Sequence, residues 1–168
     1  MSEGDKDNLE FTLNNKPLEI MDHYKYLGIT FCQDQKSYLK EHQKLLVEKG
    51  WRLFGGLKHK IRGSYNRFVV GKTLWKSVAV PALTYGTDAL VISDPTLSKL
   101  NTIQNAVGRF IIGANRHCAI EALNSDVGWS IFHARDAGNK LIRYKCRIQS
   151  VLAANKRSDF ITKSKQLT

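Results

Sequence analysis

SYLKEHQKLLVEKGWRLFGGLKHKIR, residues 37–62, decides the fold class. Advanced by about 100° per residue, Leu39, Leu46, Leu53, Leu57 and Ile61 fall within roughly an 80° arc, and Gly50 joins them. This is the pattern of a helix with one apolar face, and Ser37 is a fair N-cap for it. Lys40, Lys44, Lys58 and Arg62 share a separate stripe about 40° wide on the same projection. Gly55-Gly56 is the place where such a helix would kink and lose that phase. Some 25 residues of helix measure about 37 Å, comparable with one turn of duplex at roughly 34–36 Å.

Upstream, LEFTL (9–13) alternates, Asn14-Asn15-Lys16-Pro17 supplies turn residues, and LEI (18–20) resumes. YKYLGITF (24–31) is the strongest strand candidate. Gly28 inside that run raises two readings: a kink that lets the strands pack under the first helix, or bare backbone open to a nucleic-acid strand. Downstream the chain reads as helical. One stretch runs from about Asn66 through FVVGKTLWKSVAV, with Lys72 and Lys76 one turn apart and Pro81 ending or bending it. Asp94 is the expected N-cap and Pro95 the first-turn proline of the next helix. Leu97, Leu100, Ile103, Val107 and Ile111 carry it to a stop at Gly113. A short helix is expected around AIEAL (119–123). The last one places Ala134, Ala137, Leu141, Tyr144, Ile148 and Leu152 on its inner side, with Arg143 and Arg147 outside. The tail SDFITKSKQLT (158–168) is expected to fray. The fold class is therefore mainly α, a small N-terminal antiparallel β meander followed by a bundle of about five helices.

Charge is the first functional clue. The 168 residues carry a formal net charge of +11, unevenly spread. Residues 36–76 hold eleven Lys/Arg against Glu41 and Glu48, and residues 135–165 hold nine against Asp136 and Asp159. The stretch between, 77–134, is nearly neutral, with three basic and four acidic side chains. Two basic blocks of this kind attract polyanions, nucleic acid before anionic membrane. The longest uncharged run, Ser77 to Thr87, is too short to span a bilayer and contains Pro81, so no membrane partner is expected. The acidic, polar start MSEGDKDNLE lacks a signal peptide's pattern. Cys32, Cys118 and Cys146 read as reduced thiols, so an intracellular location, nucleus or cytoplasm, is expected.

Catalysis needs groups that converge, and few are offered. Beyond residue 22 acids are sparse, and no acidic pair such as DxD is present there to hold two metal ions. The five histidines, His23, His42, His59, His117 and His133, have no partner at metal-ligand spacing. Gly55-Gly56 lacks the GK[ST] of a phosphate-binding loop. The expectation is a non-enzyme without metal or cofactor. Trp51, Trp75 and Trp129 could offer bases a stacking surface, but they sit near apolar helix positions or a Gly turn and are read as core. Gln104, Asn105 and Arg109 lie along one helix and are read as bonding to neighbouring loops in preference to contacting nucleic acid.

YLG at 26–28, P-x-L-x-Y-G at Pro81 to Gly86, Q-N-x-x-x-R-x-x-x-G at Gln104 to Gly113 and GW at Gly128-Trp129 follow one another in a suggestive order. Over roughly residues 9 to 150 the chain resembles the segment after the catalytic palm in reverse transcriptases of non-LTR (LINE-like) retrotransposons. The resemblance implies that Tyr26, Leu27 and Gly28 match the hairpin that grips the primer. It also implies thumb-like basic helices over 35–92 and connector-like helices over 93–156, between a primer-grip-like meander at 1–34 and a frayed tail at 157–168. Fingers, palm and the family's aspartate pair have no counterpart, so polymerase activity is not expected of this chain alone.

The expected function is that of a non-catalytic, retroelement-derived module binding RNA or DNA duplex through backbone phosphates. Lys40, Lys44, Lys58, Arg62, Lys72, Lys76, Arg143 and Arg147 are the candidate phosphate contacts. The alternative is a helical protein-interaction remnant whose neutral face, residues 77–113, once docked on a polymerase palm. A third reading is a polymerase subunit acting with a palm supplied in trans; a reverse-transcriptase palm, in cis or in trans, is accordingly a candidate partner.

Overall fold

The computed structural model of the protein describes residues 12–18, 21–32 and 39–165, the last eleven as backbone only. Ser37, the expected cap of the first helix, lies outside the described residues, as do parts of the LEFTL and LEI segments. The chain divides into two compact units, Met1–His42 and Gln43–Thr168. The boundary falls inside the 35–92 stretch, and residues 43–92 share the second unit with residues 93–156.

In the first unit, β1 (Thr12–Leu13) pairs antiparallel with β2 (Lys16–Pro17), and β3 (His23–Tyr26) with β4 (Ile29–Cys32). These are two separate two-stranded ribbons, and the candidate strand at 24–31 is in fact a hairpin. Tyr26 faces Ile29, leaving Leu27 and Gly28 as the two turn residues, at φ 48° and 83°. Positive φ at both central positions is the type I′ geometry, whose twist matches that of the flanking strands. Gly28 is thus a turn residue and not a strand kink. Asn14 and Asn15 make the other turn with φ 51° and 59°. Their short polar side chains tolerate that region, and Lys16-Pro17, expected in the turn, begins the return strand. Within this unit the Thr30 N–H donates to Nδ1 of buried His42 at 3.4 Å.

Among the described residues six α-helices follow, forming five rods. Helix α1 (Lys40–Arg62) continues through Gly55-Gly56 without a break. Leu39, Leu46, Gly50, Leu57 and Ile61 are buried and Leu53 half-buried, as the spacing predicts. Helix α2 (Arg67–Leu74) is capped by Asn66, whose side chain accepts from the Val69 N–H at 3.0 Å. It runs through a π turn at Trp75–Ala79 into α3 (Val80–Thr84). The π turn has a cause in the sequence. Pro81 donates no hydrogen bond and its ring crowds the carbonyl four residues back, so the preceding turn widens and the Val80 N–H bonds to Trp75.

Helix α4 (Asp94–Ile112) is central to the second unit and packs on α2, on α5 (Ile120–Val127) and on α6 (Phe132–Lys165). Its N-cap is Ser93, one residue before the expected Asp94. Gln43 of α1 serves that end, its Oε1 accepting from Ser93 Oγ at 2.5 Å and Thr96 Oγ1 at 2.8 Å. Gly113 and Gly128 end α4 and α5 in the left-handed conformation. Trp75, Leu83, Leu100, Ile103, Val107, Leu123, Val127, Trp129 and Phe132 fill the core. Buried Gln104 ties it together: its Oε1 accepts from Trp75 Nε1 at 3.4 Å and Arg135 Nη1 at 2.9 Å, and its Nε2 donates to the Ser130 carbonyl. Burial lowers the Arg135 pKa through desolvation.

Two expectations about α6 change. It runs to Lys165 through most of the segment expected to fray, with no proline or glycine after Gly138 to stop it. Its proposed inner face is not inner: Ala134, Ala137, Leu141, Tyr144, Ile148 and Leu152 are all exposed. Helical spacing creates an apolar stripe, but nothing in the spacing supplies a partner to cover it.

Candidate functional site

The densest basic cluster forms where the C-terminal half of α1 meets α4. Phe110 stands near the end of α4, and Phe54 on α1 meets it edge-on, ring centroids 6.0 Å apart. Trp51 continues the row, 6.2 Å from Phe54. Three cations close on the Phe110 ring: Lys58 Nζ at 5.4 Å, Arg62 Cζ at 5.8 Å and Arg67 Cζ at 5.5 Å. Lys58 also lies 5.9 Å from the Phe54 centroid. A ring face attracts a cation by about 0.5–1 kcal/mol at exposed sites. That attraction holds three like charges together against their own repulsion. Among the described residues none of the three has a carboxylate partner. Arg67 is fixed further by donating from Nε to the Ile111 carbonyl at 3.2 Å, at the electronegative end of α4. An anion with several oxygens suits such a cluster, since each N–H not turned to Phe110 or Ile111 can donate to it.

Lys58 and Arg62 were legible as candidates; Arg67 and Phe110 were not assigned, and Trp51 was read as core. Phe110 is remote in sequence and only packing brings it to α1. Trp51, expected in the core, is 47% exposed and lies between Lys44 and Lys58 on the basic stripe. Its helical phase, about 120° from the centre of the apolar arc, already excluded it from the core.

The other candidates are dispersed. Lys40 and Lys44 occupy the first two turns of α1, both exposed, some 14 or more residues from Lys58, or about 21 Å along the axis. Lys72 is half-buried over the Phe68 ring at 5.7 Å, with Nζ beside Gly128 at the end of α5. Lys76 is exposed on the π turn. Arg143 is paired with Asp88 at 2.9 Å. Arg147 is exposed on α6. Tyr26, Leu27 and Gly28 form the tip of the β3–β4 hairpin, where the Tyr24 and Tyr26 rings stack at 6.5 Å.

No protein-family model, curated protein or solved structure matches this chain. The reverse-transcriptase resemblance therefore rests on the quoted motifs and their order. Several motif residues have structural roles: Leu83 and Gln104 are core, Arg109 reaches the Cys118 carbonyl at 3.4 Å, and Trp129 packs 6.0 Å from Trp75. Among the described residues no group of His, Cys, Asp and Glu is arranged to hold a metal ion, and no helix is long and apolar enough to cross a membrane. The neutral middle contributes both core and surface: Ala79, Leu83, Leu90, Ile92, Leu97, Leu100, Ile103, Val107 and Ile111 are buried, whereas Val78, Tyr85, Val91 and Ile112 are exposed.

Proposed function

We propose that the chain is a non-catalytic, retroelement-derived module that binds nucleic-acid duplex through backbone phosphates, the thumb-like part of a reverse transcriptase in origin. The observation that carries this reading is the cluster of Lys58, Arg62 and Arg67 on Phe110, with no carboxylate among the described residues to neutralise it. Lys44 and Lys40 extend the basic face along α1, over a length comparable with a duplex turn. The cations engage phosphates, and the exposed Trp51 edge offers an apolar contact to sugar or to an end base. Binding of this kind is steep in salt and indifferent to sequence, because each phosphate contact releases counterions. Affinity for a mixed-sequence duplex, titrated from low to physiological salt, tests it. A log–log slope of several units is expected, and each of Lys58→Gln and Arg62→Gln should flatten it by about 0.9. An affinity that does not change with salt overturns the proposal.

A further inference from the structure

Among the described side chains of α6 only those at its start are covered: Phe132 and Asp136 are buried, residues 138–140 half-buried, and every side chain from Leu141 to Ala154 is exposed. Leu141, Tyr144, Ile148 and Val151 recur at alternating spacings of three and four, the a and d positions of a heptad seam. Leu141 is 68% exposed, Tyr144 65% and Ile148 42%. Tyr144, Arg147, Ile148, Val151 and Leu152 line a shallow groove of about 280 Å³. The same heptad register makes Lys140 and Arg147 g residues and Lys145 an e residue, so cations edge the seam on both sides. Lys140 is neutralised by Asp136; Lys145 and Arg147 have no carboxylate partner among the described residues. The sequence has no acidic residue between Asp136 and Asp159.

We propose that this stripe is the seam of a heteromeric coiled coil, docking an amphipathic helix of a partner protein whose e and g positions carry Glu or Asp. Edge charge chooses the occupant. In a parallel second copy Lys145 would meet the other chain's Lys140, and in an antiparallel one, where e meets e and g meets g, both Lys145 and Arg147 would meet cations; like charges at e and g disfavour pairing. An acidic helix satisfies both edges while covering the four seam side chains. The seam spans about 18 residues with Ala134 and Ala137 included, about 27 Å of helix, so a micromolar dissociation constant is expected. This site is separate from the phosphate-binding cluster and does not depend on it.

The full chain is titrated with two synthetic helices sharing a Leu/Ile seam, one with Glu and one with Lys at every e and g. The Glu peptide should bind at least tenfold more tightly. Ile148→Glu should remove that binding, while circular dichroism and the melting transition stay unchanged. The double variant Lys145→Glu with Arg147→Glu should reverse the preference towards the Lys peptide. Equal binding of both peptides, or of neither, overturns the proposal. So does concentration-dependent dimerisation lost in Ile148→Glu, which would make a second copy the occupant. Tighter binding to phosphatidylserine vesicles than to the Glu peptide, lost in the same variant, would make it a lipid surface.

Discussion

Leu27 occupies a backbone region that its side chain disfavours. At φ 48° its Cβ crowds the following carbonyl, which costs roughly 1–2 kcal/mol, yet the side chain is 67% exposed and gains little packing in return. Asparagine tolerates this geometry, as Asn14 and Asn15 show in the neighbouring turn. Leu27→Asn should therefore slow amide exchange at Ile29, the residue paired across the turn, by several-fold. Gly28→Ala should speed it, since φ 83° is strained for any L side chain. Faster exchange in Leu27→Asn would mean the leucine is held by contacts stronger than its strain. Gln104 is the corresponding residue in the core. Replacing it with Leu leaves Trp75 Nε1, the Ser130 carbonyl and half-buried Arg135 each short of a partner. Each loss is worth about 1–3 kcal/mol, so chemical denaturation of Gln104→Leu should show a loss of at least 2 kcal/mol.

Glycines at the element scale divide by what surrounds them. A Cβ on Gly71 would lie 2.6 Å from Ile111 Cγ1 and 2.9 Å from its Cδ1, so α2 approaches α4 only because that position is bare. Gly71→Ala should destabilise by about 1–3 kcal/mol, and Ile111→Val in the same chain should recover part of it. Gly55 and Gly56 have nothing within 4 Å of their Cβ positions. Each is a plain helix-interior glycine, so Gly55→Ala should raise the denaturation midpoint by the equivalent of about 1 kcal/mol. The same contrast marks what the sequence could tell. The apolar period of α1 and α4 was readable because Leu46, Leu57, Ile61, Leu97, Leu100 and Ile103 obey one repeat and meet one core. The hairpin turn was not, because leucine is a poor signal for a left-handed position and YKYLGITF alternates like a strand throughout. The outer half of α6 misled for another reason: an apolar stripe has the same spacing covered or bare.

Net charge describes the whole molecule less well than the placement of its cations. Half of the candidate site was visible as basic residues on a helix face. The other half, Arg67 and Phe110, depends on α4 returning beside α1, which no local pattern encodes. Lys58 and Arg143 separate placement from total charge. Both are cations in the basic blocks, and removing either lowers the net charge by one. Lys58 stands with Arg62 and Arg67 and has no carboxylate partner among the described residues, whereas Arg143 already has Asp88 at 2.9 Å. That pair is partly exposed and contributes little to stability, about 0–1 kcal/mol, but the carboxylate offsets the positive charge that a phosphate would meet. If attraction to duplex follows only the overall charge, Lys58→Gln and Arg143→Gln should weaken binding equally and leave equal salt slopes. If it follows the cluster, Lys58→Gln should flatten the slope by about 0.9 and Arg143→Gln should leave it within error of the unmodified protein. We expect the second outcome, measured on one duplex at four or more salt concentrations. Equal effects would return the interaction to diffuse attraction by a basic surface.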